Sequence, residues 1–562
     1  MAVSGNLITR EYKGLRGVDF SNRKDEVSIQ RSPDALNMWK NYKNSSGKCV
    51  ETRPDIELLE EHSDTIFGLF FYTINGIKHE ILHCGTKLYD DEEIIYEDMA
   101  RNKSQYFIMN NKLYIKDNKK FLVYDGKEIK EVEGYIPTTS ISRSPAGAGT
   151  IYEDVNLLTP YRKNTFVGDG KALEYVLDVP TFDGDVRVWV NDVELTKGFT
   201  IVPNEGKIVF DEAPSEPLTT GQDNVTIQFK KEVKGYRERI EKCTLVEMFD
   251  NRVFFSGNPD YPNILFHSSL NDPSYCSDLD YYQEGSEDSK VKSIITGNNA
   301  LWVLKEPNQH NTTIFYHNPI IDSEYGKLYP SVHSSISIGC KTKGINFNDT
   351  ICFFSDRGME SITGDITTEQ ILTHKSTLVD ARLLNEEKYD EMDLVEWEGY
   401  LLVIMGKKVY LADSRLLATI NQLPEYEWYY WEFDKDITNS LVKDGKLYLC
   451  CDKEVYTLTK KDTNILSYWT TISDEFGYPQ HQKISNKRGL VVDIEGTKVS
   501  VYAKTEKTNF EFINEYAIKK NYIVARIKRK KWKEMQIKFQ SYQHFGLFSC
   551  TLESFIGSYI KR

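Results

Sequence analysis

A literal His-Glu-x-x-His pattern, from His79 to His83, is the stretch of the sequence that could most directly hold a metal ion. In zinc proteases this pattern lies on a helix, where both histidines share a face and the glutamate acts as general base. Here the pattern follows an Asn-Gly pair at 75–76 and precedes Gly85, which is typical of a hairpin strand. In a strand the two imidazoles would lie about 13 Å apart, too far for one zinc ion. We therefore interpret His79, Glu80 and His83 as a chance match and expect no metal and no cofactor.

The other signatures of catalysis are missing from the sequence. It has no phosphate-binding glycine loop, no dinucleotide fingerprint and no nucleophile elbow. The turn at 355–358 is loosely similar to the Asp-box of sialidase propellers but lacks the Thr-Trp that completes it. A pair of glycosidase carboxylates cannot be chosen by spacing alone from 84 acidic residues. These observations predict that the chain is not an enzyme.

Two aromatic clusters, 428–433 and 468–469, could stack on sugar rings. In a strand, alternate residues face opposite sides, and large aromatic side chains fill the space between packed sheets. We favour core packing over sugar binding for both clusters.

The strongest charge feature is the basic segment, residues 519–533. It contains eight basic residues and no acid, and removing those eight charges from the net charge of −14 leaves −22 on the remainder. Such a run is either a solvated strand face or a docking surface for an acidic partner or for phosphate groups. The residues that we select as a candidate partner interface are Arg526, Lys528, Arg529, Lys530, Lys531 and Lys533.

The elements that must position these residues are predicted to be strands. Pairs of turn-forming residues precede short apolar runs at 75–76, 110–111, 125–126, 250–251, 298–299, 348–349, 398–399 and 444–445. Such pairs tolerate the positive φ of tight hairpins. From residue 251 onward their spacing is 46 to 50 residues, which is typical of propeller blades. The sequence therefore predicts a mainly β protein with a β-propeller of six to eight blades, and the best helix candidate is 376–392.

The propeller pattern is interrupted and then followed by other β segments. The interval from 111 to 251 is too long for one blade, and alternating runs within 166–231 predict a small β-sandwich entered through a linker at 140–149. The predicted organisation is an extended N-terminal arm (1–55), a discontinuous propeller (56–140 and 235–464), an inserted β-sandwich (150–232) and a C-terminal β domain (465–562).

Composition fits this architecture. The chain has 562 residues, 40% of them hydrophobic and 27% charged, as in globular proteins. No apolar run approaches the roughly 20 residues of a membrane helix, and the N-terminus does not resemble a secretory signal. The nine cysteines contain no C-x-x-C pair, so we expect reduced thiols in a protein made in a reducing cytosol.

Several stretches together carry a resemblance to a known family. They are Arg16–Ser21, Ser32–Met38, Glu51–Pro54, Phe166–Gly170, Val188–Asp192, Gly206–Pro214 and Cys352–Gly358. In these stretches and in its layout the sequence resembles bacteriophage tail-hub and nozzle proteins, also described as packaged-DNA stabilisation proteins. The basic segment has no counterpart in the resemblance.

The resemblance implies a structural virion protein without catalytic residues. Such proteins form a homo-oligomeric ring, commonly of six subunits, below the portal and adaptor, where the ring continues the DNA exit channel and retains packaged DNA. The implied partners are further copies, the portal or adaptor, distal tail or fibre proteins, and passing viral DNA in transient contact. The implied location is the virion tail, after assembly in the bacterial host cytoplasm and without membrane insertion. We hypothesise that acidic residues line the channel, because they repel DNA, and that the basic segment faces a neighbouring protein.

Two other classes of function stay open. One is a receptor- or carbohydrate-binding propeller at a tail tip, using the aromatic clusters or the inserted sandwich. The other is an enzyme, either a zinc metalloprotease acting through His79 and His83 or a glycan hydrolase.

Overall fold

The computed structural model describes residues 6–43, 49–323, 326–363, 371–420, 423–459, 464–528 and 531–559. These ranges contain fifty strands and two short α-helices, α1 (Tyr236–Glu241) and α2 (Asp380–Leu383), with 3-10 turns at Pro203–Glu205 and Tyr389–Glu391. The mainly β prediction is confirmed. Neither α-helix has the length or the apolar character needed to cross a membrane.

The chain divides into two compact units. Unit 1 contains Met1–Ile66 and Cys340–Arg562, and unit 2 contains Phe67–Gly339. The N-terminal segment gives unit 1 five strands, which are β1 (Leu7–Lys13), β2 (Ala35–Leu36), β3 (Met38–Trp39), β4 (Val50–Thr52) and β5 (Asp55–Glu61).

Unit 2 begins with two four-stranded sheets whose strand order follows the chain. The first contains β6 (Ile66–Ile74), β7 (Ile77–Cys84), β8 (Lys87–Asp90) and β9 (Glu93–Tyr96). The second contains β10 (Gln105–Met109), β11 (Lys112–Lys116), β12 (Phe121–Tyr124) and β13 (Ile129–Glu131).

A two-sheet sandwich is inserted after β13. Its strands are β14 (Thr138–Arg143), β15 (Thr150–Ile151), β16 (Tyr161–Phe166), β17 (Glu174–Val176), β18 (Val186–Val190), β19 (Val193–Leu195), β20 (Phe199–Val202), β21 (Lys207–Phe210) and β22 (Val225–Lys230). The sheet order is β15-β14-β16-β22-β18-β19 in one layer and β17-β21-β20 in the other. Phe166 and Phe229 of the larger sheet pack with Tyr175 and Ile208 of the smaller one in a shared core. The stretch predicted to be a linker at 140–149 is thus partly strand, because β14 pairs with β16.

After the sandwich, unit 2 forms two further four-stranded sheets. The strands are β23 (Leu245–Phe249), β24 (Arg252–Ser256), β25 (Ile264–His267), β26 (Tyr281–Gln283), β27 (Val291–Gly297), β28 (Ala300–Lys305), β29 (Ile314–His317), β30 (Ile320–Asp322), β31 (Gly326–Leu328) and β32 (Ser331–His333). The sheet orders are β23-β24-β25-β26 and β27-β28-β29-β32, while β30 and β31 form a separate hairpin.

Unit 1 continues the pattern and then departs from it. Its next strands are β33 (Gly344–Phe347), β34 (Thr350–Ser355), β35 (Gly358–Thr363), β36 (Ile371–His374), β37 (Asp393–Trp397), β38 (Tyr400–Ile420), β39 (Leu423–Ile437), β40 (Asn439–Lys443), β41 (Lys446–Cys451) and β42 (Glu454–Thr459). One four-stranded sheet is β33-β34-β35-β36, and another is β40-β41-β42-β5, which the N-terminal strand β5 completes. Six four-stranded sheets therefore lie within the described ranges, and this succession confirms the propeller-type fold.

The C-terminal strands are β43 (Ser467–Thr470), β44 (His481–Gly496), β45 (Lys498–Thr505), β46 (Glu511–Ala517), β47 (Tyr522–Ala525), β48 (Lys531–Trp532), β49 (Met535–Ser541) and β50 (Phe545–Tyr559). They form a five-stranded sheet, β2-β43-β49-β45-β46, and part of a ten-stranded sheet. That larger sheet runs β37-β38-β39-β3-β4-β50-β44-β47, with β1 on β50 and β48 on β44. The C-terminal β region thus shares a sheet with the 21-residue strand β38 and with the N-terminal arm.

The paired turn residues form hairpins of the predicted kind. Both residues of each pair at 110–111, 250–251, 298–299 and 348–349 have φ between 51° and 58°. Asparagine and aspartate tolerate this left-handed conformation, which matches the twist of two-residue hairpins. The predicted helix at 376–392 is mostly absent. Only α2 and a 3-10 turn form there, because Ser376 Oγ accepts a hydrogen bond from the backbone N–H of Met359 at 2.7 Å and holds the segment against β35.

Candidate functional site

The basic segment forms one outer edge of the ten-stranded sheet of unit 1. β47 pairs with β44 from Leu490↔Ala525 to Asp493↔Tyr522, and β48 pairs with the same strand at Ile484↔Lys531. Within the described ranges, no strand pairs with the other side of β47 or β48. The outward side of these two strands is therefore a place where a further strand could extend the sheet.

Side chains along this edge alternate between the interior and solvent. The buried members of the edge are Ile523, Ala525, Ile527 and Trp532. The exposed members are Tyr522, Val524, Arg526, Lys528 and Lys531. Trp532 fixes the inner face, since it is fully buried and its indole N–H donates to Ser485 Oγ at 2.9 Å. The edge is consequently a firmly anchored strand that presents bases and two apolar side chains to solvent.

The predicted interface residues are partly brought together. Arg526, Lys528 and Lys531 lie exposed along the edge. Lys533 instead pairs with Glu475 at 3.1 Å, and this hydrogen bond raises the pKa of the lysine. Arg529 and Lys530 lie outside the described residues.

The His79–His83 segment forms the strand β7, as predicted. His79 Nδ1 lies 2.7 Å from an Asp90 carboxylate oxygen, whereas His83 Nδ1 lies 2.7 Å from Ser104 Oγ in the interior. Burial lowers the pKa of His83 to about 4, so the neutral imidazole is the stable form there. The two rings thus have separate partners, and Glu80 lies between them on the same strand.

A different group could hold a metal ion, and no spacing pattern in the sequence indicates it. Donor atoms of Cys49, Glu51 and Glu495 lie within 4.8 Å of one another, the only such group of His, Cys, Asp and Glu found in the described part of the chain. Glu51 and Glu495 both lie opposite Gly546, on the strands that flank it. Thiolate and carboxylate ligands suit zinc. All nine cysteines are buried thiols, as expected.

The aromatic clusters are core residues, as predicted. Trp428 and Trp431 are fully buried, and Trp469 is 1% exposed. Trp431 packs edge-on against Trp39 of the N-terminal arm, with ring centroids 5.5 Å apart. The rings of these three tryptophans are therefore closed to a sugar.

The turn at 355–358 positions a charged cluster. Gly358 has a φ of 121°, and a Cβ added to it would lie 2.3 Å from a carboxylate oxygen of Asp380. His374 bridges this Asp380, at 2.7 Å, and Glu360, at 3.1 Å. Burial alone would lower the pKa of His374, but the hydrogen bonds to Asp380 and Glu360 outweigh it and raise the pKa to about 10. The imidazole is therefore held as a cation between two carboxylates.

Unit 2 contains a cleft that no sequence pattern predicts, here called the tyrosine cleft. Its volume is about 530 Å³, and its lining includes Tyr236, Tyr261, Tyr281, Arg239, Asp260, Asp278 and Glu287. The Arg239 guanidinium lies over Tyr236 at 4.6 Å and over Tyr261 at 5.3 Å. Tyr236 donates to Asp278 at 3.3 Å, and burial raises the pKa of that carboxyl.

The tyrosine cleft combines aromatic faces with hydrogen-bonding groups, the combination that recognises sugars and other hydroxylated ligands. Tyr281 is 45% exposed, so its ring is open to a ligand. The lining residues come from α1, the loop between β24 and β25, β25 itself, and β26 with its flanks. No local run in the sequence joins them, which is why spacing gave no signal.

No protein-family model and no curated protein matches the chain. Among solved structures, BamB from Moraxella catarrhalis is similar at 12% identity, covering 73% of this chain and 98% of that one, with a TM-score of 0.30. An exo-β-1,3-galactanase from Phanerochaete chrysosporium is similar at 9% identity over 55% of this chain and 95% of its own, with a TM-score of 0.22. A structure described as a glycoside hydrolase is similar at 10% identity, over 87% of this chain and 97% of that one, with a TM-score of 0.19.

These findings correct one prediction. The sequence predicts that the chain is not an enzyme, whereas glycoside hydrolases stand among the similar solved structures. That prediction is therefore not kept. At these TM-scores the likeness assigns no activity to the chain, and the propeller-type fold rests on the sheets themselves.

Proposed function

We propose that this chain is a structural component of a bacteriophage tail, a hub or nozzle subunit whose ring continues the DNA exit channel below the portal and adaptor. The proposal rests on the sequence resemblance together with one structural observation. Two of the short stretches that carry the resemblance, 32–38 and 51–54, meet in a single buried network in unit 1.

Asn37 and Arg53 are the centre of this network. The Arg53 backbone N–H donates to the Asn37 carbonyl at 2.8 Å, and Arg53 Nε donates to Asn37 Oδ1 at 3.0 Å. Asn37 Oδ1 also accepts from the Glu432 backbone N–H at 2.8 Å, and Asn37 Nδ2 donates to the Leu466 carbonyl at 2.9 Å. Each of the two side chains is at most 5% exposed.

The network explains why these residue types occur in this order. Asn37 has a φ of 55°, which turns the chain from β2 in the five-stranded sheet to β3 in the ten-stranded sheet. Asparagine tolerates that conformation better than most residues, and its amide also satisfies buried backbone groups. The guanidinium of Arg53 then ties the next strand to the same point. The two stretches are one structural device, which supports reading the resemblance as a shared framework.

The N-terminal arm is anchored in a way that suits a rigid building block. Arg31 donates two hydrogen bonds, at 2.9 and 2.6 Å, to the fully buried carboxylate of Glu427. Arg16 donates a third to the same group at 3.2 Å. Paired, hydrogen-bonded burial of this kind holds the arm on β39.

The proposal is tested by locating the chain within the virion. Virions of a phage that encodes the chain would be purified and examined by electron microscopy, with antibodies against the inserted sandwich. We expect label at the tail below the portal vertex and a ring of density in averaged particles. A chain that is absent from purified virions would refute the proposal.

The tyrosine cleft favours a second candidate function, carbohydrate binding. Its three tyrosines and the Asp278 carboxyl offer stacking surfaces and hydrogen-bond partners to a sugar. The wild-type protein and Tyr281→Ala would be compared on a glycan array, with Tyr542→Ala, an exposed tyrosine of unit 1, as the matched control. Binding that is lost in Tyr281→Ala alone would support this function, and no binding by wild type would refute it.

The same preparation tests for glycan hydrolysis. Release of reducing sugar would be measured for any glycan that binds, with Asp278→Asn as the variant in which this half-buried acid can no longer exchange a proton. Sugar release that Asp278→Asn abolishes would place the reaction in the tyrosine cleft.

A further inference from the structure

The last strand in the order of each four-stranded sheet forms one edge of that sheet, and these last strands differ in length. β9 and β36 have four residues each, and β13, β26 and β32 have three, but β5 has seven. Proteins commonly keep edge strands short, because a long unpaired edge is a template for pairing with another chain. β5 is therefore the longest of these last strands, although two first strands, β6 and β27, have nine and seven residues.

The exposed side chains of β5 are acidic and apolar. Its sequence, Asp-Ile-Glu-Leu-Leu-Glu-Glu, contains four acids and no base. Leu58 is 49% exposed and Leu59 is 36% exposed, and Glu60 and Glu61 are also exposed. The register with β42 shifts at Leu59, a bulge that leaves both leucines on the surface.

The basic edge of β47 and β48 has the opposite charge and a similar apolar content. Arg526, Lys528 and Lys531 are exposed along it, and Tyr522 and Val524 are 47% and 40% exposed. Both edges belong to unit 1, yet they lie in different sheets. One copy thus carries two sheet edges that are opposite in charge and similar in apolar character.

We propose that β5 of one copy docks against the β47–β48 edge of a second copy, so that the two edges form a heterologous contact between successive subunits. The proposal rests on the ring described under the proposed function and names the surfaces that build it. A nucleic acid would match the basic edge alone and leave the long acidic strand without a role. A second copy accounts for both edges at once, and repeated heterologous contacts generate rings when the rotation closes.

Charge reversal of the full-length protein tests the contact. The acid-edge variant carries Glu60→Lys and Glu61→Lys, and the basic-edge variant carries Arg526→Glu, Lys528→Glu and Lys531→Glu. All five residues are exposed, and circular dichroism would verify that each variant folds. Molar mass would be measured by light scattering over a range of concentrations at low and at high salt.

Wild type should self-associate, more weakly at high salt, and each variant alone should associate at least tenfold less tightly. An equimolar mixture of the two variants should assemble again, because each reversed edge then meets an opposite charge on the other chain. The matched control, Glu92→Lys with Glu93→Lys in an exposed turn and strand of unit 2, should associate like wild type.

Three results would overturn the inference: a wild type that stays monomeric at every concentration, single-edge variants that associate like wild type, or a basic-edge variant that loses only binding to a DNA duplex. These results are separable from the fate of the proposed function. If antibodies label the virion tail but charge reversal does not change self-association, the tail location is supported and this contact is refuted. If self-association depends on the two edges but the chain is absent from virions, the contact is supported and the tail location is refuted.

Discussion

Replacing Asn37 with alanine should destabilise unit 1 strongly, because this one side chain satisfies three buried partners. It accepts hydrogen bonds from Arg53 and from the Glu432 backbone N–H, and it donates to the Leu466 carbonyl. The substitution removes all three bonds and leaves partners that water cannot reach, since Asn37 is only 4% exposed. It also places a residue with a Cβ and no compensating amide at a φ of 55°.

The magnitude follows from these terms. Each neutral hydrogen bond contributes about 1 kcal/mol, the bond to a charged guanidinium about 2 kcal/mol, and alanine in the left-handed region costs about 1 kcal/mol. We therefore expect Asn37→Ala to lower the free energy of unfolding by about 5 kcal/mol. Asn37→Gly loses the same bonds but tolerates the positive φ, so it should be about 1 kcal/mol less destabilised. Asn37→Asp keeps the acceptor and loses only the one neutral bond to the Leu466 carbonyl, so its loss should be about 1 kcal/mol.

Urea unfolding followed by tryptophan fluorescence would measure the three losses, since Trp39 and Trp431 are buried beside the network. Asn514→Ala, an exposed asparagine on β46, is the matched control and should leave the midpoint unchanged. An Asn37→Ala midpoint close to that of wild type, or an Asn37→Gly variant less stable than Asn37→Ala, would refute the reasoning.

Three further predictions concern single contacts. Glu427→Gln should lower the unfolding free energy by about 3 kcal/mol, because Arg31 loses its paired carboxylate in a buried site; an unchanged urea midpoint would contradict this. The stabilisation from His374 should be complete below pH 6.5 and fall as pH rises toward 10, because its folded pKa is raised to about 10; the stability difference between wild type and His374→Asn should shrink by up to about 1.4 kcal/mol per pH unit, and a pH-independent difference would contradict the pairing. Gly17→Ala should cost about 3 kcal/mol or more or prevent folding, because the new Cβ would lie 2.2 Å from the backbone oxygen of Trp428; soluble expression with a normal melting temperature would contradict it.

Features that depend on neighbouring residues could be predicted from the sequence. The Asn298-Asn299 pair adopts positive φ at both positions, because its own short polar side chains tolerate that conformation. The hairpin therefore forms independently of the residues that surround it in the fold. The strand at His79–His83 was predictable for the same reason, since the preceding turn fixes its start. The alternating faces of the basic segment follow from the period of a strand.

Features that depend on distant residues could not be predicted. β5 pairs with β42, nearly four hundred residues later, and nothing within Asp55–Glu61 specifies that partner. The same holds for the tyrosine cleft, where Tyr236 and Tyr281 become neighbours only through the packing of β23 to β26 and α1. Periodicity indicates which face of a strand is buried, but it does not indicate which strand lies beside it.

The N-terminal arm decides whether the two edges can serve a ring. β5 is joined to β4 by Arg53 and Pro54 alone, and β4 pairs with β50, which pairs with β44, the strand that carries β47 and β48. The acidic edge and the basic edge are thus linked through consecutive hydrogen-bonded strands, and the buried Arg53 network fixes the one short connection between them. A heterologous contact closes into a ring only when each copy is placed at a constant angle to the next. A fixed position and orientation of one edge relative to the other supplies that constant angle. A loss of the Arg53 network should therefore make the angle between successive subunits variable, even where both edges keep their charges.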